Sequence, residues 1–503
     1  MKNLLPQVLL VSFILIETSV YAFQKLNIQT EATNRTTVAA AELMEFIAIP
    51  NDANNLSSIE KNVAWLEDAF SKRGFETKVL KTENTPLFFA EIKVKKAKST
   101  LLFYMHYDGQ AVDPSKWQQE DPYQAVVKEK KENGWSILNY EMGTPLNSDW
   151  RIFGRSASDD KGPIVMLLHA MDLINANKLK LTYNIKVVLD GEEEKSSKQL
   201  GKAVVEYKDL LAADHLIIND GPMHLSGQST IIYGCRGITG LVLTMYGPRT
   251  HQHSGHYGNY APNPVFRMSS LLASMKDEEG RVTIPEYYDG INLTDDIKEI
   301  LARVPDEPAT IHQIIGIAEP EKVGNNYQES LQYPSLNVRG FSSAWTGPDT
   351  RTIVPESATA SIDIRLVPES EPERLKDLIE EHIRNQGYHI VYQDPTEEER
   401  LKYSHIIKIE RSTATLPFRT DMDSESGQLV AGAIKKGLGV DPVQIRIMGG
   451  TVPVSSFINA LKVPAMIVPL VNADNNQHSP NENLRVGNIS NGIATFVSIL
   501  TYR

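Results

Sequence analysis

The chain reads as an α/β protein, an open and mostly parallel sheet with helices on both faces, into which an α+β domain is inserted. Four short apolar runs rich in β-branched residues, at 101–105, 185–189, 216–218 and 465–470, lack alternation and each precedes polar or acidic residues. Such runs suit strands buried on both faces of a parallel sheet. Between them lie helical patterns, the clearest being Ile164, Val165, Leu168 and Met171 after Gly162-Pro163, so strand and helix alternate. The middle differs. Apolar and polar residues alternate at 240–245 and at 358–367 (Ala360, Ile362, Ile364, Leu366), and 373–385 has the pattern of an amphipathic helix.

These shifts predict a first domain made of residues 23–236 and 416–503, interrupted by an inserted domain over 237–415. Near the start, Ser57-Ser58-Ile59-Glu60 reads as a capped helix start, with Val63, Leu66 and Phe70 on one face and Gly74 as its stop.

At 503 residues, with 41% hydrophobic and 23% charged residues, the composition is that of a folded protein of about two domains. The net charge of -12 disfavours general affinity for nucleic acid or anionic membrane, and leaves room for an anionic substrate held by one local arginine. Lys2, the apolar run 8–16 and Val20-Tyr21-Ala22 read as a signal peptide over 1–22, predicting a mature chain from about Phe23 that is periplasmic or secreted. That run is too short to cross a bilayer, which takes about 20 residues, so no stable membrane anchor is expected. Cys235 is the only cysteine, which excludes an intrachain disulfide, and it has no activating base near it in sequence.

Ligands of open α/β sheets bind beyond the carboxyl ends of the strands. Five polar clusters fall there. In His106-Tyr107-Asp108, His106 can ligate a metal while Asp108 accepts its other ring N–H. In Gly154-Arg155-Ser156-Ala157-Ser158-Asp159-Asp160-Lys161-Gly162, Asp159 can offer one oxygen to each of two cations, although an Asp pair before a helix also suits N-capping. In Asp190-Gly191-Glu192-Glu193-Glu194, adjacent carboxylates at a buried strand end repel one another unless a cation or shared proton offsets them. Asp220 follows the strand 216–218, and His478 lies in a loop after 465–470.

Together these residues resemble the M20 metallopeptidases, especially the carnosinase-like dipeptidase branch, a family related to acetylornithine deacetylase and succinyl-diaminopimelate desuccinylase. The resemblance spans nearly the whole mature chain. It implies a phosphorylase/hydrolase-like catalytic domain with two divalent metal ions per subunit, zinc first and manganese or cobalt as substitutes. The inserted domain becomes a lid that also joins a homodimer. By motif, Asp159 bridges the metals, His106 and Asp220 complete one site, Glu194 and His478 complete the other, and Glu193 is the general base.

His253, in His253-Ser254-Gly255, resembles the lid histidine that reaches the partner's active site and stabilises an oxyanion. Arg365 resembles the lid arginine that grips a substrate carboxylate, and Gly449, Gly450 and Thr451 resemble an anion-holding loop. Asp190 stands where that branch tends to carry Glu, Lys195 follows the acidic pair instead of a small residue, and Phe418 follows Pro417 where a histidine is common. The expected activity is hydrolysis of a peptide bond in dipeptides or short peptides with a free carboxylate. N-acyl-amino-acid deacylation and carboxypeptidase activity are the alternatives within the family. A non-catalytic peptide-binding protein is disfavoured by the intact ligand set.

Overall fold

The computed structural model describes residues 26–452 and 454–503. The segment read as a signal peptide therefore lies outside the described residues.

The principal sheet has eight strands, in the order Glu76–Leu80, Leu87–Ile92, Asn184–Asp190, Thr100–His106, His215–Ile218, Ala465–Ile467, Thr230–Ile232 and Val443–Ile445. Its centre, from Asn184–Asp190 to Ala465–Ile467, is parallel, whereas the strands toward the Glu76–Leu80 edge pair antiparallel. The unbroken apolar runs follow from burial on both faces. Leu101, Phe103, Met105 and Val187 point into one core, packed by the helices Ile28–Ile47, Lys161–Ala176, Glu425–Leu438 and Val486–Thr501. Leu102, Tyr104, Val188 and Leu216 point into the other, beneath Leu200–Glu206 and Ser455–Leu461.

A second sheet has the order Asn337–Ser342, Ser357–Leu366, Gly237–Tyr246, Ile406–Arg411 and His389–Val391. Gly237–Tyr246 and Ser357–Leu366 pair antiparallel, and the helix Pro372–Asn385 buries Leu375, Ile379 and Ile383 in the same core as Leu241, Ile362 and Ile364.

The helix expected from Ser57 runs from Leu56 to Ser71, and its cap is Asn55, whose side chain accepts from the Ser58 amide at 3.2 Å. Asparagine is as good a cap as serine, and capping from Asn55 places both serines in the first turn. Gly74 lies beyond the helix in a left-handed turn, φ +88°. A small sheet of Asn483–Arg485, Arg151–Phe153, Val126–Lys131 and Gly134–Ile137 has no counterpart in the sequence reading. Cys235 is buried, and burial pushes its thiol up to about 12. Among the described residues, no helix is long and apolar enough to cross a membrane.

Candidate metal centre

Residues from five stretches of chain meet at the carboxyl end of the principal sheet. Donor atoms of His106, Asp159 and Asp220 lie within 4.8 Å of one another, and so do those of Asp159, Glu194 and His478. Asp159 is common to both groups. The parallel strands ending at His106, Asp190 and Ile218 carry three of these segments to the same edge, and the loops before Lys161 and after Ala465–Ile467 bring the other two.

His106 is buried, with Nε2 at 2.8 Å from Asp159 Oδ1. Its Nδ1 is 3.2 Å from the backbone carbonyl of Asp108 and 3.3 Å from Asp108 Oδ1. Asp108 thus meets the imidazole as expected, but its carboxylate also accepts the amides of Glu193 at 3.1 Å and Glu194 at 3.2 Å. Those two glutamates open the one-turn helix Glu193–Lys195. Asp108 therefore secures the turn that presents them. Beneath that turn the buried Asp190 accepts from the Glu192 amide, the Tyr104 hydroxyl and the Ser197 hydroxyl.

His478 is half-exposed, with Nε2 at 3.0 Å from Asp159 Oδ2 and 3.1 Å from Glu194 Oε2. Gln110 also donates to Glu194 Oε2, at 2.8 Å. The Asp159-Asp160 pair does not cap the helix Lys161–Ala176 with a side chain. Asp160 instead accepts the His106 amide at 3.2 Å, and the following Lys161 donates to the carbonyls of Phe46 and Ile49.

Burial raises the Glu193 carboxyl well above its ordinary value, and the charges of Asp220, Glu194 and Asp159 add to the rise against an opposing pull from His106. Burial and the Asp159 charge push Glu194 up to about 7, and burial likewise raises Asp220. For Asp159 burial acts upward, but the contacts with His106 and His478 hold it low. Contact with the Asp159 carboxylate raises His478 to about 9. So many carboxylates crowded out of water need positive charge between them. Asp159 Oδ2 is buried and makes no well-formed hydrogen bond, although His478 Nε2 stands 3.0 Å away. That orphaned oxygen and the mixed imidazole and carboxylate set fit divalent cations of the zinc or manganese type.

The remaining residues expected from sequence lie apart. Arg365, on Ser357–Leu366, donates to the Thr451 hydroxyl at 2.8 Å, and Thr451 in turn donates to the Arg236 carbonyl. The Arg236 amide donates to the carbonyls of Met448 and Gly450, which ties the Gly449-Gly450-Thr451 loop to the start of the second sheet. His253 stands exposed on Gln252–His253 and makes no hydrogen bond to the cluster; its Nδ1 accepts from the Gly255 amide at 3.0 Å.

Two residues escaped the sequence reading. Glu482, fully buried, receives the loop that carries Asp159, and Gln110 orients Glu194. Glu482 sits four positions after His478 with nothing in its local sequence to mark it.

Residues 102–502 match peptidase family M20/M25/M40, and the chain belongs to that family. It is 26% identical over 92% of its length to the Cys-Gly metallodipeptidase of Candida albicans, covering 93% of that protein. It is 26% identical over 82% of its length to the Beta-Ala-His dipeptidase of Mus musculus, covering 79% of that protein. An M20 family metallo-carboxypeptidase from Sulfolobus solfataricus superposes with a TM-score of 0.72 at 27% identity, over 92% of this chain and 98% of that one. The expectation of an exported, periplasmic or secreted protein is corrected: the likeness to the Cys-Gly metallodipeptidases does not support export, and no signal peptide is shown, since residues 1–25 lie outside the described residues. A short apolar run after a lysine is a compositional pattern that does not by itself establish export.

Proposed function

We propose, from this membership and from the two donor groups joined at Asp159, that the chain is a metal-dependent dipeptidase acting on dipeptides and short peptides with a free carboxylate. His106, Asp159 and Asp220 would hold one divalent cation, and Asp159, Glu194 and His478 the other, with zinc expected and manganese or cobalt also suited to these ligands. When bound, such cations supply a water that ionises near neutral pH and an electrophile for the scissile carbonyl.

The chain's own residues do the rest. Glu193 accepts the proton of the attacking water at its carboxylate and returns it to the leaving nitrogen, a task suited to a carboxyl whose burial raises its affinity for a proton. Asp108 holds Glu193 in place through the peptide amide. Arg365, with Gly449, Gly450 and Thr451 beside it, takes the substrate carboxylate. His253 serves the partner subunit of a homodimer. With Nδ1 accepting from Gly255, its proton sits on Nε2, free to donate to a developing oxyanion. In this reading residues 23–236 and 416–503 form the catalytic domain and 237–415 the lid through which subunits join.

The observation that carries the proposal is the sharing of Asp159 between two donor groups with Glu193 alongside. A panel of dipeptides, longer peptides and N-acyl amino acids, run with defined metals, tests it. Glu193→Gln is expected to keep its metal and lose about 100- to 10,000-fold in kcat. Retention of most activity would place the base elsewhere. Likeness to the Sulfolobus enzyme favours carboxypeptidase action as the second reading, which preferential cleavage of longer peptides would support.

A further inference from the structure

We infer that Glu482 is a positioning residue for the metal centre, holding the bridging Asp159 and the His478 loop in register with each other. The inference rests on the metal-dependent reading above.

The Glu482 carboxylate is fully buried and hydrogen-bonds to no candidate ligand side chain. Its side-chain hydrogen bonds run to the Asp159 loop. Oε2 accepts from Arg155 Nη1 at 2.7 Å and from the Ser156 amide at 2.9 Å. Oε1 accepts from the Ser158 amide at 3.0 Å, the Ser158 hydroxyl at 2.9 Å and the Asp159 amide at 3.0 Å. The backbone joins the same two segments: the Gly154 amide donates to the Glu482 carbonyl at 3.0 Å, and Asn483–Arg485 pairs with Arg151–Phe153.

An irregular loop has no ladder of its own to fix the amides of Ser156, Ser158 and Asp159, and buried amides without acceptors are costly. Glu482 supplies the acceptors, and one of them belongs to Asp159 itself. That residue must present Oδ1 to the His106 side and Oδ2 to the His478 side at once. A small rotation of its backbone would withdraw one oxygen. Because Glu482 follows His478 by four residues, the same anchor sets how far the His478 loop stands from Asp159. Outer hydrogen-bond partners of this kind tune a metal site without touching the metal.

The test is Glu482→Gln, read by Zn2+ titration of metal-free protein against a chromophoric chelator, alongside dipeptide kinetics at saturating Zn2+. The amide removes the charge facing Arg155 and turns a donor toward backbone N–H groups. Zn2+ affinity should fall about 10- to 100-fold. At saturating metal, KM should stay within about twofold while kcat falls, since Glu482 is not placed against substrate. Glu482→Asp, which keeps the charge but reaches less far, should recover part of the affinity. Unchanged Zn2+ affinity in a folded Glu482→Gln protein would overturn the inference. If that variant does not fold, Ser158→Ala, which removes one donor to Oε1 and keeps the charge, carries the test; unchanged Zn2+ affinity there counts equally against it. Wild-type protein that binds no Zn2+ would instead sink the functional reading on which this inference stands.

Discussion

Replacing Asp108 with Asn separates the support of the Glu193 turn from the chemistry proposed for Glu193. In the native protein one carboxylate oxygen accepts the Glu193 amide and the other accepts the Glu194 amide, in a side chain with no solvent exposure. Asparagine has one carbonyl oxygen, so one amide keeps an acceptor while the other meets an NH2 group. The stranded donor costs about 1–3 kcal/mol, and the surviving bond, no longer made to an ion, weakens by about 1 kcal/mol. Opening of this turn should therefore become about 5- to 150-fold more frequent from the stranded donor alone. Hydrogen exchange read by mass spectrometry on a peptide spanning residues 190–197, in metal-free protein, measures this directly. Exchange confined to its wild-type rate would refute the reasoning, because it would mean that the turn is held by something other than this carboxylate. A lower kcat at nearly constant KM should accompany faster exchange, since Asp108 supports the turn of the proposed base.

Other outcomes follow from the same structure. Arg365→Ala should raise KM about 10- to 100-fold for peptides with a free carboxylate and change little for their amides, since it removes one charge-assisted contact; equal losses on both would place the carboxylate site elsewhere. Chelation should abolish hydrolysis, and Zn2+ or Mn2+ should restore it, as followed by release of a free amino acid; activity that survives exhaustive chelation would rule out the proposed chemistry. Away from the centre, burial alone would raise the Glu42 carboxyl, but hydrogen bonds from His169 and Arg73 bring it from 4.5 to about 2. Its folded-state value is depressed, so its contribution to stability is present above pH 4.5 and lost as pH falls through 2. Thermal unfolding of Arg73→Met should begin lower and vary less over that range than wild type; an unchanged pH dependence would exclude the link.

The parallel core was legible because strands buried on both faces have no polar alternation, and 101–105, 185–189 and 216–218 show none. The antiparallel pair at Gly237–Tyr246 and Ser357–Leu366 was legible for the opposite reason: one side faces solvent. Three-residue strands such as Arg151–Phe153 and Asn483–Arg485 escaped, since so short a segment has no period to read. At the centre, the residues expected to gather at the metals carry unusual chemistry at strand ends. Those that support them do not. Glu482 reads like any loop glutamate, and Gln110 like any polar residue, until distant segments meet. The capping reading of Asp159-Asp160 failed because the His106 amide and the crowded centre engage those side chains. Asn55 took the cap expected of Ser57 through a difference of two positions that propensity does not resolve.

The strand Ala465–Ile467 lies between His215–Ile218 and Thr230–Ile232, although more than two hundred residues of chain separate it from either. A nascent polypeptide leaving the ribosome therefore carries a slot in the middle of its largest sheet until that late segment is synthesised and inserted. His478 and Glu482 arrive with the same delivery. On the proposed ligand set, catalytic competence is thus withheld until the chain has been made past Glu482, and a chain shorter than that cannot cut peptides around it. The cost is a prolonged interval in which two apolar strand edges stand open, and it is there that a chaperone would be needed most.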